Sequence, residues 1–192
     1  QANAKELNVV QVERRKPLTA RVGLVAVGHH TYWGQFEGLL DELMAKFGVL
    51  VKRVEGHGAD VSTFGMVDQA EAAYDIVSRI KAADLDLLFV DMVTYATSAT
   101  WGILARDLSM PIVLVSLQPL KAMDYARGST YMQLCNDDFC SVPEFTGVAV
   151  RLGRPVPHVI LGHLYDDPAA DAELAEWCQI AKVLHDLRRA RI

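Results

Sequence analysis

After a polar opening stretch the chain switches, at Arg21-Val-Gly-Leu-Val-Ala-Val, to an apolar run that ends at Gly28. Such a run, without polar alternation, suits a strand covered on both faces, as in a parallel sheet. Between Gln35 and Phe47, the residues Phe36, Leu39, Leu40, Leu43, Met44 and Phe47 recur at helical spacing. Val49 to Val54 is rich in β-branched residues and reads as a second strand, closed by Gly56 and Gly58, with Val61 to Phe64 a short extension. Asp68 and Glu71 have capping-box spacing, and Ala70, Ala73, Tyr74, Val77 and Ile80 form the buried face of the helix they open. Leu85 to Val90 is a third strand, interrupted by Asp86 near its start. Ser98 to Leu108 reads as a helix, and Pro111 to Ser116 as the fourth strand.

Strands alternating with helices call for right-handed crossovers and a parallel sheet covered on both sides. The expected fold is therefore α/β, a doubly wound, flavodoxin-like parallel sheet over residues 21–120, preceded by a tail over 1–20. Beyond Gln118 the rhythm changes, and Gln118 to Asp138 is polar and aromatic with no clear period. Ser141 and Glu144 again have capping-box spacing and open a helix through Val150. Val156 to Leu161 reads as a strand, and Asp167-Pro168 as a helix start, N-cap then proline. Residues 121–192 are read as a connecting segment and the start of a second α/β domain. The last helix has one apolar face through Leu174, Trp177, Ala181 and Leu184 and another through Ile180, Val183 and Leu187. A helix apolar on two sides needs two partners, which points to a truncated chain.

Composition narrows the function. With 51% hydrophobic and 22% charged residues, the chain can build a sizeable core. Its net charge of −5, with no basic stripe beyond Arg188, Arg189 and Arg191, argues against nucleic acid and anionic membranes as partners. Three cysteines, Cys135, Cys140 and Cys178, without C-x-x-C spacing fit reduced thiols in the cytoplasm. No run approaches the ~20 apolar residues of a membrane span, and the first twenty residues do not read as a signal peptide. The chain has no G-x-G-x-x-G after its first strand, no P-loop and no G-x-S-x-G elbow. Asp137-Asp138 and Asp166-Asp167 read as caps and turns rather than cation ligands.

In open α/β sheets, ligands sit outside the carboxyl ends of the strands. Three loops fall there: 28–34 after the first strand, 91–97 after the third and 116–120 after the fourth. They carry His29, His30, Tyr32, Tyr95 and Gln118. Imidazoles, amides, hydroxyls and aromatic rings are the groups a polyol needs, because a sugar offers hydroxyls for hydrogen bonds and apolar faces for packing. A tyrosine at a strand end is more often a lid on the core, so the convergence of three loops carries more weight than any single residue.

At these loops the sequence resembles the L-arabinose/L-fucose isomerase family, especially its arabinose-isomerase-like branch. The resemblance is carried by VGHHTYWGQFEGLLDELM, DMVTYATSAT, LVSLQPLKAMDY, YMQLCNDDFCSVPEFTGVAVRLGR and LYDDP with AEWCQIAKVLHDLRRARI, in family order. It implies an aldose–ketose isomerase using a divalent metal, usually manganese, and working as a homo-oligomer. The family's metal ligands and proton-shuttling carboxylates belong to a later part of its sequence with no match here. The resemblance thus implies a sugar-binding role for this N-terminal part, no catalytic or metal-ligating residue within it, and no isomerase activity of its own. By the same resemblance, His30 falls where relatives have a glutamine near the sugar, Tyr95 on an aromatic position and Gln118 on a glutamine beside the pocket. Histidine at position 30 departs from the pattern and puts arabinose itself in doubt as the substrate.

Two other classes compete. A non-catalytic sugar-binding or regulatory module shares the architecture. A phosphorylation-controlled receiver is suggested by Asp86-Leu-Leu-Phe-Val-Asp91, but a receiver needs an acidic pair after its first strand to hold magnesium, and Gly28-His29-His30 stands there.

Overall fold

A computed structural model describes residues 19–190. Five parallel strands, β1 (Arg21–Val27), β2 (Asp60–Val67), β3 (Leu87–Asp91), β4 (Ile112–Gln118) and β5 (His158–His163), form one sheet in the order β2-β1-β3-β4-β5. Six helices connect and cover them: α1 (Leu39–Gly56), α2 (Ala70–Ala82), α3 (Ser98–Asp107), α4 (Thr130–Cys135), α5 (Val142–Arg151) and α6 (Pro168–Arg189).

Side chains alternate across the sheet, as the strand period of two requires. Val22, Leu24, Ala26, Leu87, Phe89, Val113, Val115 and Ile160 pack with α1 and α6. Val25, Val27, Leu88, Val90 and Leu114 face the other way, toward α2, α3 and α5. Both faces are buried, which is why the central strands read as unbroken apolar runs.

The segment Val49–Val54, expected as a strand, is the second half of α1. Its burial follows the helical period: Leu39, Leu43, Phe47, Leu50 and Val54 are buried while Lys52 is exposed. Packing of that stripe on the sheet outweighs the β-propensity of three valines. The strand comes later and is longer than the expected extension. Opposite β2, the register advances two residues on β1 (Leu24 to Ala26) against three on β2 (Thr63 to Met66), and Gly65 at φ 76° supplies the left-handed turn of that bulge.

Residues 121–190, read from the sequence as the beginning of a second domain, contribute β5 to this same sheet beside β4. Helix α6 then returns across the face that α1 covers, burying Leu174, Cys178 and Ala181. Asp167 caps it as expected, its carboxylate accepting from the Ala169 and Ala170 amides at 3.1 Å each. The second apolar face stays open among the described residues, with Ile180, Val183 and Leu187 exposed. The tail 1–18 and the last two residues lie outside the described part.

Neither expected capping box forms. The Asp68 carboxylate accepts from Trp33 Nε1 at 2.6 Å, and Gln69 stands at the N-cap of α2. Ser141 and Glu144 reach instead to the loop entering α3. Ser141 Oγ accepts from the Ala96 amide at 2.8 Å and donates to the Ala96 carbonyl at 2.9 Å, and Glu144 accepts from the Ser98 amide at 2.8 Å. A buried loop must satisfy its backbone groups somewhere. The first turn of α3 has no side-chain cap of its own, so a carboxylate from α5 supplies one.

Candidate functional site

At the carboxyl end of β1 the chain turns at Gly28, where the Trp33 ring comes so close that an added Cβ would lie 3.1 Å from it. Any larger residue here would press on the Trp33 ring and on Met66 Sδ, at 3.0 Å, where the 3-10 turn His30–Tyr32 folds back over the sheet. His29 then meets Tyr32 edge-on at 5.3 Å between ring centroids and Tyr95, from the β3–α3 loop, at 6.2 Å. His29 Nδ1 is buried and has no hydrogen-bond partner among the described residues, and the same holds for Thr94 Oγ1 on the neighbouring loop. Burying a polar atom unpaired is costly, so each of these two atoms lowers the stability of the loops that carry it.

Around these rings stand Asp137, Cys140 and Glu144. Tyr95 donates a long bond, 3.5 Å, to Glu144. Burial first, and then the nearby Asp137, raise the Tyr32 phenol; burial and then Glu144 raise Tyr95. Both hydroxyls stay protonated at neutral pH and serve as donors. The Cys140 thiol is likewise raised by burial and by Asp137, which leaves it protonated and a poor nucleophile.

Not every expected residue joins this group. His30 is exposed and directs both its amide and Nδ1 to the Asp68 carbonyl at 3.3 Å. Gln118 spends its amide on the Asn136 carbonyl at 2.5 Å, while Asn136 Oδ1 accepts from the Leu120 amide at 3.2 Å. Gln118 therefore holds the loop after β4 in shape. His29, Tyr32 and Tyr95 come together, and the His30 ring meets His29 edge-on at 5.3 Å from the exposed side.

Beneath the rings lies a cluster absent from the sequence reading. Lys46 on α1 is buried, and its ammonium donates to the Val93 carbonyl at 3.0 Å, the Cys135 carbonyl at 2.7 Å, and both oxygens of Asp138 at 3.0 and 3.1 Å. One cation thus ties the β3–α3 loop and the end of α4 to α1. The signal was present: Lys46 stands between Leu43 and Leu50 on the apolar stripe of α1, a position where a charge needs a dedicated partner. Asp138, expected at a turn, is that partner, and its backbone carbonyl also accepts from Ser116 Oγ at 2.8 Å.

Asp91, at the end of β3, is buried beside this pair, but Lys46 bonds Asp138 instead. Burial, then the Asp138 charge, push the Asp91 carboxyl up to about 8, with Lys46 opposing. A receiver's acceptor must meet solvent and magnesium; this carboxyl is 5% exposed and beside an ammonium. The raised folded pKa means that the folded state keeps a proton that the unfolded chain releases near 3.8. Stability from this group is therefore whole below about pH 4 and lost as pH rises toward about 8. Asp91→Asn is expected to flatten that decline, so that urea unfolding at about pH 5 and pH 8 differs less than in the parent. An unchanged pH slope would show that Asp91 does not carry it.

These residues do not make a manganese site. Among the described residues no group of three or more His, Cys, Asp or Glu side chains is placed to hold a metal ion, and beside the buried Asp91 and Asp138 carboxyls the cation is already Lys46.

No protein-family model matches the chain, and no curated protein matches it in sequence. Among solved structures it is similar to the type II dehydroquinase from Propionibacterium acnes, at 13% identity and a TM-score of 0.44 over 83% of this chain and 98% of that one. It is also similar to BT4096, a gut microbial diltiazem-metabolizing enzyme, at 14% identity and a TM-score of 0.33 over 71% of this chain and 36% of that one. Neither likeness bears on activity. The five parallel strands in the order 2-1-3-4-5 place the chain in the flavodoxin-like fold class on their own.

Proposed function

We propose that this chain forms the sugar-orienting part of an aldose–ketose isomerase of the L-arabinose/L-fucose isomerase kind, working in the cytoplasm as a homo-oligomer. The observation that carries the sugar reading is the meeting of the His29, Tyr32 and Tyr95 rings at the carboxyl ends of β1 and β3. An imidazole flanked by two protonated phenols can bond neighbouring hydroxyls of one polyol, while ring faces cover its apolar side. The three free cysteines suit a reducing compartment. Proton transfer between the sugar carbons, and the manganese that goes with it, are assigned to residues outside this chain. What His29, Tyr32 and Tyr95 contribute is placement, which supplies a large share of a rate when reacting atoms must be aligned.

The test is a titration of the chain with L-arabinose, L-fucose and their ketoses, followed by backbone amide shifts. Saturable shifts at His29, Tyr32 and Tyr95 are expected, weakened about tenfold in His29→Ala, the worth of one useful hydrogen bond. Absence of shifts at these residues with every sugar overturns the reading. Aldose-to-ketose conversion by the chain alone would overturn the placement of the catalytic groups elsewhere and leave the sugar site standing.

A further inference from the structure

At the opposite end of the sheet, beside the amino ends of β4 and β5, is a cavity of about 350 Å³. Its walls are apolar, chiefly Trp101, Met110, Pro111, Val156 and Trp177, and the cation among them is Arg154. The volume is that of a small-molecule pocket, which runs from ~300 to ~1,000 Å³.

Two of the walls are held in place before any ligand arrives. Trp101 is stacked on Phe145 at 5.1 Å and 4°, and its Nε1 donates to the Phe145 carbonyl at 2.7 Å. Trp177 is backed by the His158 ring at 5.4 Å, and His158 is in turn fixed by Glu173 at 2.8 Å. Rigid aromatic walls spare a ligand the entropy of ordering them.

Arg154 gives the cavity its chemical preference. It is half-buried, and of its guanidinium donors one, on Nη2, is used, to the Leu108 carbonyl at 2.8 Å. It forms no ion pair among the described residues, whereas its neighbour His158 already has Glu173. A guanidinium with unused donors beside apolar walls favours a planar anion that can take a fork of two bonds. A phosphate would want further cations or a helix N-terminus, and neither lines this space. From this geometry we infer a binding site for a small aromatic monocarboxylate, its ring among Pro111, Val156 and Trp177, with Trp101 as the floor beneath, and its carboxylate on Arg154. The inference stands apart from the sugar reading and uses none of its residues.

The experiment is a two-dimensional amide titration of the chain with 3-phenylpropanoate and, separately, with 3-phenylpropanamide. Saturable shifts of the Trp101 and Trp177 indole N–H signals are expected with a Kd of about 1 mM or below, while the Trp33 indole, bound to Asp68 at the other end of the sheet, stays still. The amide is expected to bind at least ~10-fold more weakly than the acid, and Arg154→Gln to weaken the acid similarly. Ser109→Phe, at an exposed position on the rim, fills the space without touching the core and is expected to abolish binding with the melting temperature retained. No saturation by the acid up to ~10 mM overturns the site. Equal affinity for acid and amide, undiminished binding in Arg154→Gln, or undiminished binding in Ser109→Phe each does the same.

Discussion

Replacing Lys46 with methionine is expected to lower the unfolding free energy by about 3–5 kcal/mol, the usual cost of breaking a buried ion pair from one side. The substitution keeps the length of the stem and removes only the ammonium. That leaves the Asp138 carboxylate, 1% exposed, without its cation, and it orphans the carbonyls of Val93 and Cys135. Methionine can satisfy none of the three. The loss should show as a lower midpoint of urea unfolding with an unchanged slope. The double variant Lys46→Met with Asp138→Asn is expected to recover a good part of it, because the desolvated charge has gone together with its partner. If the single variant is as stable as the parent, the clamp is ornamental. If the double variant is no better than the single one, the carbonyls rather than the carboxylate carry the cost. The clamp also sets the loop that holds Tyr95, so in Lys46→Met the amide signals of residues 93–97 are expected to move first.

Trp101→Ala is the other substitution of that size, expected to cost about 3–5 kcal/mol. Its side chain is 1% exposed and packs flat on Phe145, joining α3 to α5 on the face away from α1. Alanine removes the ring and opens a void that close-packed neighbours fill only in part. It also deprives the Phe145 carbonyl of the indole donor, a bond of 2.7 Å. Trp101→Phe retains most of the packing and loses the donor, so it is expected to fall between the parent and the alanine variant. Equilibrium unfolding in guanidinium measures all three. Equal stability of the phenylalanine and alanine variants would mean that the hydrogen bond, and not the stacked area, is what matters.

What could be read along the chain was whatever a local period encodes. The unbroken apolar run of β1, the runs at β3 and β4, the spacing in α2 and α3, and the Asp167-Pro168 start of α6 all emerged in the structure within a few residues of the reading. Each depends on neighbours one or two turns away, or on the next residue but one. The strand rhythm also puts the loops after β1 and β3 at one end of the sheet, and there the rings of His29, His30, Tyr32 and Tyr95 lie close together.

Tertiary structure decided the rest wherever a local signal had two readings or a partner was distant. Val49–Val54 is β-rich by composition, yet only contact with the sheet face selects the helical stripe through Leu50 and Val54. The carboxylates Asp68 and Glu144 have the spacing of caps, but a tryptophan 35 residues away claims one and an amide 46 residues away claims the other. Gln118 Nε2 and His30 Nδ1 each meet a backbone carbonyl distant in sequence, 18 and 38 residues away, which no local period announces. The ion pair of Lys46 with Asp138 spans 92 residues, so no period along the chain can announce it. Strand and helix periods are set by neighbouring residues and survive in one dimension. Polar groups are matched by desolvation, which acts only once burial has removed the water, and burial belongs to the folded chain.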